Sequence, residues 1–133
     1  LRTYRCPAGK LTIGWGHTAA AGAPVPVLGM TISAEDADWI LMRDLRDVAN
    51  RLRPLIDVEL GENQWAALLA WAFNCGVPAF ETSDLRERIN AGDFAAVPAQ
   101  LKRWNKGTVR GVKQVVPGLV ARRAAEAELW CTP

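Results

Sequence analysis

From Trp65-Ala66-Ala67-Leu68-Leu69-Ala70-Trp71 to Ala72-Phe73-Asn74-Cys75-Gly76 the chain is apolar on nearly every side at helical spacing. A helix of that kind has no face to give to solvent, so neighbouring elements must enclose it. Glu62-Asn63-Gln64 leads into it, and Gly76 suits the position just past its end. Its alanines let other helices approach closely, which makes Trp65 and Trp71 packing residues in preference to sugar platforms. Asn74 differs: a polar amide ending an apolar helix must find a partner, either as a cap or as a binding group.

The enclosing elements can be read around it. Ser33-Ala34-Glu35-Asp36 is a capping-box variant, and Leu41, Leu45, Val48, Leu52 and Leu55 follow at three- and four-residue spacing. This predicts a long helix ended by Pro54, with Arg43, Asp44, Arg46, Asp47 and Arg51 mostly on its solvated side. Thr82 or Ser83 caps a short helix that carries Leu85 and Ile89 inward and stops near Gly92. Asp93 can cap a further segment with Phe94, Val97, Leu101 and Trp104, which Pro98 either divides or enters in a first turn. Residues 107–116 read as an irregular loop. Pro117 suits the first position of a final helix, where Leu119, Val120, Ala124, Ala127 and Trp130 pack back and Arg122 and Arg123 face outward or pair with acids.

Ahead of these helices lies Tyr4-Arg5-Cys6-Pro7-Ala8-Gly9-Lys10-Leu11-Thr12-Ile13-Gly14-Trp15-Gly16-His17-Thr18. Pro7 and Gly9 suit a tight turn, and Leu11, Ile13 and Trp15 then alternate with Lys10, Thr12 and Gly14. Continued as a strand, the segment projects Thr12, Gly14 and Gly16 together, a face stripped of side chains where a ligand can lie against backbone. Residues 19–29, small and punctuated by proline, can add a short edge strand to the same sheet. Order alone thus gives an α+β architecture, a small N-terminal sheet beside a helical lobe.

Single residues admit plain readings. Cys6 could be a small buried hydrophobe, Thr12 a strand former, and His17 a hydrogen-bonded structural histidine, since one histidine without partners builds no metal site. The three cysteines, Cys6, Cys75 and Cys131, are too few for a disulfide framework and too scattered for zinc. Pairing of Cys75 with Cys131 is left open. A net charge of +2 does not announce a nucleic-acid binder, and no basic stripe with interleaved aromatics exists. No apolar run reaches the ~18 residues needed to span a bilayer, so stable membrane association of the chain is not expected.

Taken together, the segment resembles the phage-type lysozymes, the endolysin family also called glycoside hydrolase family 24. That family carries a Glu, eight residues, an Asp or sometimes Cys, five residues and a Thr, followed by Ile-Gly-x-Gly-His. Cys6, residues 7–11, Thr12 and Ile13-Gly14-Trp15-Gly16-His17 fit this pattern without a gap. Phe73-Asn74-Cys75-Gly76 matches the family's Phe-Asn-x-Gly, and Arg103-Trp104 its Arg-Trp before the last loop. The resemblance spans the chain. It places the family's general-acid Glu four residues before Leu1, outside the sequence, and implies missing preceding residues in preference to an enzyme that has lost its acid.

The resemblance implies a single lysozyme-like domain over residues 1–133, with a β lobe at 9–30, a connecting helix at 33–53 and a helical lobe at 60–133. Its cleft, between the lobes, would set Cys6 and Thr12 opposite the end of the buried helix. It implies a muramidase that cleaves the β-1,4 bond between N-acetylmuramic acid and N-acetylglucosamine. Cys6 and Thr12 would be catalytic, Thr18, Phe73, Asn74 and Ser83 would bind substrate, and His17 would support the site. Glycoside hydrolysis needs an acid at the leaving oxygen and, opposite, a group that activates water or attacks carbon. Cys6 with Thr12 would hold the water, an inverting arrangement, or the thiolate would attack directly with retention. A thiol is a weaker base than a carboxylate unless cations assist it, and Arg5 is adjacent.

The expected partner is a peptidoglycan glycan strand, met by a monomer that needs no cofactor or metal. It would be made in the host bacterial cytoplasm and act in the periplasm or cell wall after export or holin-type release, for phage-induced lysis. The alternative of another class is a non-catalytic glycan-binding module that keeps only the groove.

Overall fold

A computed structural model describes residues 1–6 and 10–133. The turn expected at Pro7 and Gly9 lies outside the described residues. The architecture is α+β, with one small antiparallel sheet, a two-stranded ribbon and six α-helices among the described residues. Two compact units divide the chain, residues 1–47 with 107–113, and residues 48–106 with 114–133.

In the first unit, β1 (Tyr4–Arg5), β2 (Leu11–Ile13) and β3 (His17–Thr18) form an antiparallel sheet in that order. The strand expected to run on through Gly16 ends at Ile13, because Ile13 pairs with His17 and the three residues between them make a turn. Gly14 and Gly16 adopt φ of 63° and 96°, a region that side-chain-bearing residues avoid. At Gly14 a Cβ would also stand 3.2 Å from both Ala37 Cβ and Ile32 Cδ1. Gly14 and Gly16 therefore serve a turn, close-packed at Gly14, and do not project with Thr12 from one strand. Trp15, at the tip, is exposed, and its indole N–H donates to Asp38 Oδ1 at 2.7 Å.

Residues 19–29 add no strand; only a single bridge, Arg2 to Thr31, extends the pairing there. The carbonyls of Gly22, Ala23 and Pro24 are taken up by His17 and Arg43 side chains, which leaves no ladder to build. The long helix α1 (Ala34–Leu52) forms as expected, with the Ser33 hydroxyl accepting from the Asp36 amide at 3.0 Å. Its buried stripe in this unit is Ala37, Ile40 and Asp44. Asp44 was expected on the solvated side, and its burial has a reason given below.

The second unit is built around α2 (Glu62–Cys75), closed by the Gly76 amide donating to Ala72 O at 2.8 Å. It also holds α3 (Val77–Glu81), α4 (Asp84–Asn90), α5 (Val97–Lys102, with Pro98 in its first turn) and α6 (Pro117–Cys131), while the residues of β4 (Lys106–Val109) and β5 (Val112–Val115) divide between the two units. Ala67, Leu68, Trp71 and Ala72 of α2 face Phe80, Leu85, Ile89, Val97, Leu101, Ala127 and Trp130 across one apolar core. Trp71 is wholly buried and meets Phe80 and Trp104 edge to face at centroid distances of 6.0 and 5.1 Å. Trp65 is half-buried against the same core.

Two expectations are corrected here. Residues 107–116 hold most of the β4–β5 ribbon instead of an irregular loop, turned by Arg110 and Gly111, both at positive φ. On α6, Val120 and Ala124 are exposed and Leu119 half-buried, while Arg123 and Glu126 are buried beside Ala127 and Trp130. An ion pair replaces two of the apolar contacts expected on that face.

Candidate functional site

The register of the three-stranded sheet decides which side chains share a face. Tyr4 pairs with Thr12 and Arg5 with Leu11, and the pairing continues as the Cys6 amide donates to Lys10 O at 2.9 Å. Thr12 pairs with Thr18 on its other side. Because side chains alternate along a strand, Tyr4, Cys6, Thr12 and Thr18 project to one face, and Ile13 and His17 to the other. Cys6 is two residues from the direct partner of Thr12, a diagonal placement about 7 Å apart at Cβ. Sequence-predicted Cys6, Thr12 and Thr18 are thus brought together.

Thr12 is 2% exposed, whereas Cys6 and Thr18 are half-buried. The Thr12 hydroxyl donates to Lys10 O at 3.1 Å. Its single hydrogen is committed there, so towards any further ligand it can only accept. Cys6, Cys75 and Cys131 are all free thiols, and the bridge left open between the last two is not formed.

His17 lies on the opposite face, 2% exposed. Nδ1 is 2.6 Å from Asp44 Oδ2, while Nε2 meets Pro24 O at 2.8 Å and Gly22 O at 3.2 Å. All of these partners are oxygens of carboxylate or carbonyl, so the ring acts as a cross-link among β3, the 22–24 loop and α1. Asp44 is buried to meet it. With Ala37 and Ile40 at spacings of three and four residues, Asp44 falls on the inner stripe of α1, a position where an acid without a partner would be costly.

In the second unit, Phe73 is half-buried and Asn74 exposed at the end of α2. Ser83 is buried, its hydroxyl donating to Phe80 O at 2.7 Å and accepting from the Arg86 amide at 3.1 Å as the cap of α4. Beneath Asn74 sits a cluster that sequence reasoning did not assign. Arg123 is 0% exposed and Glu126 4%. Arg123 Nη2 donates to Glu126 Oε2 at 3.1 Å and to Asn74 Oδ1 at 2.8 Å, and Nη1 donates to Cys75 Sγ. Nε approaches Glu126 Oε1 at 2.9 Å without aiming its hydrogen at it. The signal was the Arg123–Glu126 spacing of three, which on a helix sets both groups on one side.

Burial pushes the Glu126 carboxyl up to about 7 from an ordinary 4.5, against the opposing pull of Arg123 and Arg122. Burial likewise raises the Cys75 thiol, with Arg123 pulling it back. The folded chain holds the Glu126 proton to about pH 7, whereas an unfolded chain releases it near 4.5. Stability from this group is therefore greatest below that lower value, falls as pH rises, and is gone above the higher one. The loss is on the order of 3 kcal/mol. Urea unfolding at pH 4.5, 6 and 7.5 should show wild type losing stability relative to Glu126→Gln as pH rises, with the difference flat above neutrality.

Among the described residues no three His, Cys, Asp or Glu side chains are grouped to hold a metal, and no helix is long and apolar enough to cross a membrane.

The chain is similar to several known proteins. The Phage lysozyme family matches residues 1–126. An endolysin of Acyrthosiphon pisum secondary endosymbiont phage 1 is 37% identical over 130 residues, covering 98% of this chain and 86% of that protein. The solved endolysin from Escherichia coli O157:H7 phage FAHEc1 superposes with a TM-score of 0.87 at 33% identity, covering 98% of this chain and 82% of that one. The muramidase domain of SpmX from Asticaccaulis excentricus does so with a TM-score of 0.84 at 32% identity, covering 99% and 86%.

Proposed function

The chain belongs to the phage lysozyme family, and from that premise we propose that it is a muramidase-type peptidoglycan hydrolase of the endolysin kind, acting on the bacterial cell wall during phage lysis. The observation that carries this reading is the family match over residues 1–126, with endolysins and a muramidase domain among the relatives. The bond cleaved is the β-1,4 linkage between N-acetylmuramic acid and N-acetylglucosamine.

In this reading Cys6 and Thr12 fix the attacking water. Thr12 has given its hydrogen to Lys10 O, so its oxygen receives one hydrogen of that water. Cys6, diagonal to it on the same face and acting as its thiolate, receives the other and takes the proton as the water attacks, becoming the thiol. The remaining lone pair of the water then points at the anomeric carbon, and attack from the face opposite the leaving oxygen inverts the centre. The general acid is the family's Glu, expected four positions ahead of Leu1. Thr18 extends the same face toward the sugar, while Phe73, Asn74 and Ser83 belong to the substrate-binding set. His17 supports the sheet from behind. The protein works as a monomer, with no cofactor, and reaches the wall after export or release from the host cytoplasm.

The test is turbidity loss of permeabilised Gram-negative cells, with release of reducing ends from purified sacculi, by the full-length protein carrying the residues upstream of Leu1. Clearing with a matching rise in reducing ends supports the reading. A protein with Glu at the fourth upstream position that clears nothing sinks it.

A further inference from the structure

We propose that the buried Arg123–Glu126 pair is a positioning device for Asn74, holding its amide so that the oxygen faces inward and the NH2 group is presented outward to the acetamido carbonyl of an N-acetylated sugar. The proposal rests on the muramidase reading for its substrate and on the cluster beneath Asn74 for its geometry.

A guanidinium carries five hydrogens and no acceptor, so whatever atom of Asn74 faces Arg123 must be its oxygen. Arg123 Nη2 reaches that oxygen at 2.8 Å. The Cys75 thiol approaches the same oxygen at 3.8 Å, a second donor pointing the same way. Among the described residues nothing takes the hydrogens of Asn74 Nδ2, and Asn74 is exposed. The exposed surface thus offers two N–H donors at a fixed place, a chemistry that selects a ligand oxygen with lone pairs in a plane. An acetamido carbonyl is such a group, and every sugar of the proposed substrate carries one.

The pair beneath explains how the orientation is enforced. Arg123 is fully enclosed, with Glu126 on its Nε and Nη2 side and Cys75 on Nη1. A planar fork held on two sides keeps its remaining direction fixed, which a flexible lysine would not do. Burying such a pair brings little stability by itself, and apolar replacements of similar volume are commonly tolerated. What distinguishes this pair from a purely structural one is that an enclosed guanidinium ends on an exposed side chain.

The test uses the full-length protein and a soluble peptidoglycan tetrasaccharide of alternating N-acetylglucosamine and N-acetylmuramic acid, with Kd read by calorimetry and KM and kcat on sacculi. Asn74→Asp keeps an acceptor for Arg123 but has no hydrogens to give, and should weaken Kd and raise KM roughly tenfold or more with kcat little changed. The double variant Arg123→Met/Glu126→Leu should raise KM in the wild-type background and have no further effect in Asn74→Ala, because it acts through that residue. Tetrasaccharide binding equal to wild type in Asn74→Asp, or no tetrasaccharide binding by wild type, overturns the proposal. So does an effect of the double variant that is the same with and without Asn74. If the double variant does not fold, Arg123→Lys, which keeps the charge and loses the planar fork, takes its place in the same comparison with and without Asn74. Binding does not depend on turnover, so a protein that hydrolyses nothing yet shows this pattern refutes the muramidase reading and leaves the positioning role standing.

Discussion

Cys6→Ser should lower lytic activity of the full-length protein by roughly 10²–10⁴-fold, the range that loss of a positioned proton acceptor produces. Serine keeps the size and the hydrogen bond to water but cannot take its proton. Cys6→Asp should keep lysis, since a carboxylate in the same place accepts both the hydrogen bond and the proton. Cys6 is half-buried and is not part of the apolar core, so neither change removes a core contact. Rates of turbidity loss set beside thermal melts separate chemistry from folding. Loss in both variants with unchanged melting would show that the sulfur attacks carbon, a nucleophilic role that a water-holding carboxylate does not reproduce, and the products would then retain configuration.

The second large effect concerns the cross-link behind that face. Removing either partner of this buried hydrogen-bonded pair leaves the other desolvated and without its partner, at a cost of about 1–3 kcal/mol. His17→Asn and Asp44→Asn should each destabilise the protein by that order, a large share of the ~5–15 kcal/mol that holds a domain together. Urea unfolding measures the loss. Amide exchange in residues 11–18 should accelerate most, because His17 is what ties β3 to the 22–24 loop and to α1. Unchanged unfolding midpoints in both variants would show that the 2.6 Å contact contributes nothing.

What the sequence disclosed, and what it hid, follows from how local each signal is. The ends of α2, the cap of α1 and the proline at the start of α6 were legible because each depends on side chains within one turn of the terminus. Cys6 and Thr12 came as a pair only through the family resemblance, since they belong to different strands, and their shared face follows from the register of the sheet. The Gly14–Gly16 turn was misread as strand, since alternation of apolar residues through Trp15 imitates a ladder that the positive φ angles break. Pairing of Arg123 with an acid was one of the readings of α6, whereas the burial of Asp44 was not foreseen. Inside a run such as Arg43-Asp44-Leu45-Arg46-Asp47, charge suggests solvent, and only a partner 27 positions away reveals that one acid has turned inward. The β4–β5 ribbon escaped because every residue of β5 is exposed, so no burial pattern marks it.

That last property makes the ribbon a place to add sequence. Its turn, Arg110 and Gly111, is exposed, and none of the β5 side chains belongs to the core. A recognition peptide grafted between those two residues disturbs no buried contact of the ribbon, which offers engineers an address for redirecting the molecule to a chosen bacterial surface.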